Sequence, residues 1–262
     1  MNKVSFSFFN IPNLFTTANF VCGIISILFT ISGRVDLAPY PLLLAVFFDF
    51  FDGFFARLLN ISGELGKQLD SFADIISFGL APGMIMLHFL IESLHFQLLF
   101  DNKYLIINWF NSLSLNNWSL FIPFISFLIP IFSMFRLAKF NLDKRQSDQF
   151  IGLPTPANAM FFCMFPLVSK IDNSFNSFLF SGAFLSSIIL LFSVLLISEI
   201  PLFSLKFKNF KWSDNKIRFL FLIISCFVIF FFSFWSLGII VFLYLLMSVI
   251  QILIDKNKKN EI

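Results

Sequence analysis

The chain has 262 residues, of which 58% are hydrophobic and 13% are charged, and its formal net charge is +3. Its mean hydropathy of +0.88 is far above that of an ordinary soluble domain, and apolar runs of about 20 residues, the length of one bilayer crossing, recur along it. The composition therefore excludes a soluble globular protein and indicates an integral membrane protein.

Inside a bilayer every backbone polar group must find its partner within the protein, so the apolar runs predict an all-α fold. We predict a single membrane domain, a polytopic transmembrane helix bundle with about eight spans. The predicted spans cover residues 13–33, 36–58, 71–95, 119–139, 156–171, 175–199, 217–234 and 237–254. Residues 3–12, before the first span, are predicted to lie flat in the membrane interface.

Basic residues divide unequally between the two sides of this predicted bundle. Of the 18 lysine and arginine residues, only Arg34, Lys103 and Lys170 fall on the outer side when the N-terminus is placed in the cytoplasm. Because the cytoplasmic loops of membrane proteins are enriched in lysine and arginine, this division predicts that both termini are cytoplasmic. It also places the loop between the second and third spans in the cytoplasm, at the inner membrane if the source is bacterial.

Two pairs of aspartates flank that loop. Asp49 and Asp52 are three residues apart near the end of the second span, and Asp70 and Asp74 are four apart at the start of the third. Each spacing puts both carboxylates on one helix face, and the short connection predicts that the two pairs face each other across an antiparallel hairpin.

Four carboxylates that converge at a membrane surface repel one another and are costly to desolvate. Arg57 supplies only one positive charge nearby. We therefore predict that the aspartates hold two divalent cations, since hard oxygen ligands suit Mg²⁺, Mn²⁺ or Ca²⁺. A pair of metals held in this way can clamp a phosphoryl group during an in-line displacement.

Small residues accompany the aspartates. Gly53 and Ala56 follow Asp52, and Gly66 lies on the facing segment. Their lack of bulk favours the close approach of a phosphate or a nucleotide to the backbone. Packing of helices against small residues, which is common in membrane proteins, is the alternative for Gly53.

Acidic residues within membrane segments also mark the ion pathways of transporters, so a cation transporter is an alternative function. Here the acids cluster at one end of the bundle. Glu92 and Glu199 are the only other acids near the interior of a span, and no series of acids leads across the bilayer. The pattern favours an enzyme site over a transport path.

The residues from Asp52 to Asp74 match the pattern D-G-x2-A-R-x8-G-x3-D-x3-D at every position, and Asp49 lies three residues upstream of it. In this pattern the chain resembles the CDP-alcohol phosphatidyltransferase family. Three further stretches, "IPNLFTTANFVCGI" (11–24), "FRLAKFN" (135–141) and "FIGLPTPANA" (150–159), resemble the phosphatidylserine synthase branch of that family.

The resemblance covers about residues 10–200, which we predict to be the catalytic core. The helical hairpin predicted at about 217–254 carries no motif of the family and is expected to be accessory. Lys139 stands where the branch often has arginine, which keeps the positive charge but loses the planar fork of donors.

The resemblance implies transfer of a phosphatidyl group from CDP-diacylglycerol to L-serine, which gives phosphatidylserine and CMP. It implies two divalent cations per site, Mg²⁺ or Mn²⁺, and a homodimer in the lipid bilayer, with no nucleic-acid partner. The acceptor could instead be glycerol phosphate, inositol phosphate or an amino alcohol, as in other relatives. Those relatives, however, lack the "GLPTPANA" stretch.

The resemblance also implies roles for individual residues. The metal ligands are Asp49, Asp52, Asp70 and Asp74, and of these Asp70 is catalytic and Asp74 is the general base. The nucleotide end of the lipid substrate is expected to meet Asn19, Asp52, Gly53, Ala56, Arg57 and Gly66. Arg136 and Lys139 are expected to bind the serine carboxylate or a lipid phosphate.

Overall fold

The computed structural model describes residues 10–61, 63–94, 104–143, 150–169, 176–203 and 212–260. The helices are α1 (Ile11–Ile31), α2 (Pro39–Leu58), α3 (Glu64–Asp74), α4 (Ala81–Ser93), α5 (Leu105–Asn111), α6 (Leu128–Leu142), α7 (Thr155–Val168), α8 (Asn176–Leu179), α9 (Gly182–Ile197), α10 (Trp212–Phe232) and α11 (Ser236–Asn260). A π-helical turn (Ile75–Leu80) joins α3 to α4, and 3₁₀ turns precede α6 (Trp118–Phe127) and α11 (Ser233–Trp235). Two short strands, β1 (Phe150–Ile151) and β2 (Pro201–Leu202), pair antiparallel. The predicted helical fold is confirmed.

Within the part of the chain that the structure describes, four helical stretches are long and apolar enough to cross a membrane: Ile11–Ile31, Glu64–Ser93, Trp118–Leu142 and Asn215–Ile254. The apolar helices α7 and α9 have 14 and 16 residues, fewer than the roughly 20 that a crossing needs. The structure thus supports a helical membrane protein, while the count of eight spans and the cytoplasmic termini stay predictions. Most of the predicted interfacial segment 3–12 lies outside the described residues.

Helix α1 buries its small and polar residues and exposes its large apolar ones. Its buried residues are Pro12, Asn13, Thr16, Asn19, Cys22, Gly23, Ser26 and Thr30. Leu14 and Leu28, in contrast, are 70% and 59% exposed. Such a distribution suits a helix whose outer face meets lipid and whose inner face meets other helices. Because α1 packs against both α2 and α3, its polar stripe faces the segment that carries the aspartates.

The turn after α3 is wider than a regular helical turn. The N–H of Ala81 bonds to the carbonyl of Ile76, five residues back. Pro82 follows, and it lacks the N–H that a regular helix would use at that position. In this wide turn Ser77 meets α1 so closely that a Cβ added at Gly23 would lie 2.7 Å from the Ser77 Cα atom. Turns of this kind are often found at functional sites.

Helix α7 lies at the centre of the bundle. Every residue from Phe161 to Val168 is buried, as expected for a helix that is apolar on all sides and surrounded by others. The ring of Phe161 stacks on that of Phe192 in α9, with centroids 3.9 Å apart. This packing fixes the position of Thr155 and Asn158 in the first turns of α7, both of which are fully buried.

The strand pair ties the loop before α7 to the segment after α9. Phe150 pairs with Leu202 and Ile151 with Pro201. At Gly152 the backbone has φ +78°, a conformation that suits glycine, and a Cβ there would lie 2.6 Å from the carbonyl oxygen of Leu196. The loop is therefore held against the carboxyl end of α9.

Candidate active site

The carboxylates of Asp49, Asp70 and Asp74 meet where α2, α3 and α1 pack together. Each of the three offers an oxygen, and these oxygens all lie within 4.8 Å of one another. Asp74 is 6% exposed, and the other two are partly buried. The turn between α2 and α3, with Asn60 in the left-handed region at φ 54°, allows the two helices to bring their aspartates together. Three of the four aspartates thus converge as the spacing predicts.

The fourth aspartate, Asp52, stands beside this cluster and bonds to α1. The hydroxyl of Thr16 donates to Asp52 Oδ2 over 2.7 Å, and both residues are buried. Asp52 accordingly has a protein donor for one of its oxygens. Its place as a metal ligand stays a prediction.

Asp74 is held by a short relay from α1 and the π-helical turn. Asn19 Nδ2 donates to Asp74 Oδ1 over 3.2 Å. The hydroxyl of Ser77 lies 2.5 Å from Asn19 Oδ1, which fixes the amide so that its NH₂ group points at the carboxylate. Asn19 was predicted to bind the nucleotide, and the structure places it against the predicted base.

The carboxylate cluster suits a divalent cation. Asp70 Oδ1 is buried and has no hydrogen-bond donor against it among the described residues. A buried, unpaired carboxylate oxygen is costly, and three carboxylates within reach of one another supply the hard oxygen ligands that Mg²⁺ and Mn²⁺ prefer. The donor set therefore fits a metal at Asp49, Asp70 and Asp74.

A cavity of about 190 Å³ opens beside the cluster. Its walls are Pro12, Asn13, Thr16, Asp52, Gly53, Ala56, Ile61, Gly63, Gly66, Lys67 and Asp70. Asp70 belongs to both the cavity and the carboxylate cluster. A group bound in the cavity would thus lie next to the predicted metal site.

The glycines of the motif face open space in this cavity. Among the described residues, a Cβ added at Gly53 would meet nothing within 4 Å, and the nearest atom to one added at Gly66 would be Asn13 Oδ1 at 3.8 Å. Gly53 therefore does not serve close helix packing, in contrast to Gly23. The observation favours the prediction that these glycines leave room for a ligand.

Of the remaining residues predicted to bind the nucleotide, Ala56 lines the cavity and Arg57 does not. Arg57 is exposed, and its Nε atom donates to the carbonyl of Gly53 over 2.9 Å, so its side chain folds back along α2 instead of lining the cavity.

Arg136 of α6 lies near the carboxylate cluster and is not among the residues that line the cavity. It is 6% exposed, it interacts electrostatically with Asp74 and Asp49, and its Nη1 atom donates to the hydroxyl of Thr155 over 3.3 Å. Its Nε atom is buried without a partner among the described residues. A buried guanidinium with an unused donor can bind a carboxylate or a phosphate.

Lys139, predicted to act with Arg136, is one turn further along α6 and forms an ion pair with Glu199. Both side chains are partly exposed. The structure brings Arg136, but not Lys139, to the aspartates, and Lys139 stays a predicted ligand.

Several neighbours of the site received no role from the sequence. Thr16 bonds to Asp52 and lines the cavity, Lys67 lines the cavity, and Ser77 bonds to Asn19. Asn158 has both amide atoms buried and unpartnered among the described residues. The sequence held a signal for two of them: Thr16 repeats with Asn13 and Asn19 at every third position of an apolar helix, and Asn158 lies in the "FIGLPTPANA" stretch.

Comparison with known proteins gives consistent matches. The family model described as CDP-alcohol phosphatidyltransferase matches residues 9–198. The chain is 31% identical over 259 residues to the CDP-diacylglycerol–serine O-phosphatidyltransferase of Helicobacter pylori. This alignment covers 94% of this chain and 95% of that protein. The chain is 32% identical over 154 residues to the enzyme of the same name from Bacillus subtilis (57% of this chain, 71% of that one). It is also 32% identical over 197 residues to the archaetidylserine synthase of Methanothermobacter thermautotrophicus (74% and 70%).

Proposed function

Because the chain belongs to the CDP-alcohol phosphatidyltransferase family, we propose that it transfers the phosphatidyl group of CDP-diacylglycerol to L-serine, giving phosphatidylserine and CMP. The observation that carries the proposal is the position of Asp70, which belongs both to the carboxylate cluster and to the cavity wall. Serine as the acceptor is supported by the names of the relatives from Helicobacter pylori and Bacillus subtilis and by the "GLPTPANA" stretch.

In the proposed reaction the serine hydroxyl oxygen forms a bond to the phosphorus that carries the diacylglycerol. The bond from that phosphorus to the oxygen bridging to CMP breaks, and CMP leaves with the electron pair of that bond. The hydroxyl proton passes to the carboxylate of Asp74, a role that suits a buried base close to the reacting group. Asn19 and Ser77 hold that carboxylate in one orientation.

The liponucleotide end of the site is proposed to be the cavity. Asp52, Gly53, Ala56 and Gly66 line it, and Lys67 adds a positive charge at its wall, which favours a phosphate group. Two divalent cations, Mg²⁺ or Mn²⁺, held by Asp49, Asp52, Asp70 and Asp74, would supply neutralisation of the diphosphate charge.

The acceptor end is proposed to lie at Arg136. Its unused Nε donor and its place near Asp74 suit the carboxylate of serine, which a guanidinium can bind through two parallel hydrogen bonds. Lys139 would act at the outer edge of this end, where it contacts Glu199.

We also propose that the site faces the cytoplasm and that the protein is a homodimer. The first statement is supported by the distribution of lysine and arginine along the chain, and the second by family resemblance alone. The transporter alternative has no support from the family match, because the matched family consists of transferases.

An acceptor panel tests the proposal. The protein in detergent receives labelled CDP-diacylglycerol, Mg²⁺ or Mn²⁺, and one of five acceptors: serine, glycerol phosphate, inositol, inositol phosphate or ethanolamine. We expect labelled phosphatidylserine and stoichiometric CMP with serine alone. A lipid product formed with glycerol phosphate or inositol phosphate, and none with serine, would overturn the assignment of the acceptor.

A further inference from the structure

The C-terminal helices α10 and α11 lie beyond residues 9–198, the part of the chain that the family model matches. We propose that Tyr244 of α11 is a positioning residue that holds the acceptor side of the site in place. This inference rests on the proposed function. It assigns a role to the hairpin that α10 and α11 form, which carries no motif of the family.

Helix α11 packs directly against α7. Gly238 permits the contact, because a Cβ there would lie 2.5 Å from the Met164 sulfur. Four residues further on, the ring of Phe242 lies 5.6 Å from that of Phe161 and 5.9 Å from that of Phe192. The hairpin is thus seated on the helix whose first turns carry Thr155 and Asn158.

Tyr244 connects this hairpin to the strand pair. Its side chain is 7% exposed, and its hydroxyl donates to the carbonyl of Phe203 over 2.9 Å. The rings of Phe203 and Phe221 lie 5.0 and 5.9 Å from its own ring. A buried hydroxyl that bonds to the backbone of another segment fixes that segment in a way that ring packing alone does not.

Backbone hydrogen bonds connect the segment that carries Phe203 to the proposed acceptor side of the site. Phe203 follows β2, which pairs with β1. The N–H groups of Gly152 and Leu153, just after β1, bond to the carbonyls of Ile200 and Leu195 over 3.0 Å each.

The loop after β1 ends at Thr155, whose hydroxyl accepts from Arg136. Displacement of β2 would therefore move the partner of the arginine.

The route from Tyr244 ends at Arg136, the residue proposed to bind the serine carboxylate. It does not pass through the residues that line the cavity at Gly53 and Gly66.

The variant Tyr244→Phe removes the hydroxyl and keeps the ring. We expect the KM for serine to rise about tenfold, because one buried hydrogen bond is lost, with the KM for CDP-diacylglycerol changed by less than about twofold. The matched control is Ser248→Ala, which removes a buried hydroxyl that bonds to the Tyr244 carbonyl within α11 itself. We expect both of its KM values to stay near those of the wild type.

Hydrogen–deuterium exchange gives a readout that does not depend on turnover. Exchange at Gly152 and Leu153 should be faster in Tyr244→Phe than in the wild type or in Ser248→Ala. Equal changes in both KM values, or faster exchange with an unchanged serine KM, would overturn the positioning role. If the wild type uses another acceptor, the proposed function fails, and the same comparison made with that acceptor still decides the role of Tyr244.

Discussion

The two sides of the site are built differently. On the α1–α3 side, α1 supplies a donor to two of the carboxylates, Thr16 to Asp52 and Asn19 to Asp74. On the α6–α7 side, buried polar atoms have no partner among the described residues: Arg136 Nε, Ser133 Oγ and both amide atoms of Asn158. One side is largely paired within the protein, whereas the other has hydrogen-bonding capacity left over.

An unpaired buried polar group costs about 1–3 kcal/mol, so several on one side indicate that something else completes them. A small polar acceptor such as serine, with a carboxylate and an ammonium group, would do so. Under the proposed function, the protein preorganises the side that binds the liponucleotide, and the side that binds the acceptor becomes fully bonded only with substrate. Six substitutions, taken in order of decreasing expected effect, test this contrast.

Asp70→Asn should have the largest effect, because it removes charge at the point shared by the cluster and the cavity. We expect CMP release to fall by about a thousandfold, with normal insertion into the membrane. Asp36→Asn is the control, since Asp36 pairs with Arg34 between α1 and α2. Robust turnover in Asp70→Asn would count against the metal assignment.

Asn19→Ala should come next, because it removes the donor that orients Asp74. Loss of a partner that orients a metal ligand typically costs about 10–100-fold, and we expect kcat to fall by that factor. Ser26→Ala, whose hydroxyl bonds to the Ala38 carbonyl instead, controls for the loss of a buried polar group from the same helix. An equal fall in both variants would mean that α1 contributes stability only.

Arg136→Lys tests the acceptor side. The substitution keeps the charge and loses the planar fork, so the KM for serine should rise by about tenfold, more than the KM for CDP-diacylglycerol. Steady-state kinetics with each substrate varied in turn give both values. If both KM values rise alike, Arg136 has a structural role, and the contrast between the two sides is wrong.

Gly53→Ala and Gly23→Ala separate a glycine beside open space from a glycine in tight packing. At Gly53 the added methyl meets no protein atom, so thermal stability should be kept, while the KM for CDP-diacylglycerol rises about fivefold. At Gly23 the methyl would overlap Ser77, and such overpacking costs about 1–3 kcal/mol of stability. Thermal unfolding in detergent measures the second effect. A loss of stability at Gly53 would show that it packs against another helix after all.

Lys139→Ala should have the smallest effect. The ammonium pairs with Glu199 at the surface, and exposed ion pairs contribute about 0–1 kcal/mol. We expect kcat/KM for serine to change by less than about fivefold. A fall as large as that of Arg136→Lys would place Lys139 in direct contact with the acceptor.

The sequence predicted the convergence of Asp49, Asp70 and Asp74. Helical periodicity puts Asp70 and Asp74 on one face of α3, and the short connection between α2 and α3 brings Asp49 to them. Ser77 could not be assigned in this way, since its contact with Asn19 depends on a π-helical turn that breaks the regular period.

The hydrogen bond of Tyr244 to Phe203 could not be predicted from the sequence either. Tyr244 stands 41 residues from Phe203, its hydrogen-bond partner, and only the packing of α11 against α7 and β2 brings the two together. The span predicted at 156–171 stays a prediction. Its helix α7 is buried from Phe161 to Val168, and apolar composition alone does not distinguish burial from exposure to lipid.

The proposed function depends on a divalent-cation site that the carboxylates of α2 and α3 form and at which the liponucleotide binds. Mn²⁺ binding to the purified protein in lipid nanodiscs can be measured by electron paramagnetic resonance, with and without CDP-diacylglycerol. We expect the wild type to bind Mn²⁺, CDP-diacylglycerol to tighten the binding, and Asp70→Asn to lose both effects. Equal Mn²⁺ binding by Asp70→Asn and the wild type would show that the carboxylates do not form this site.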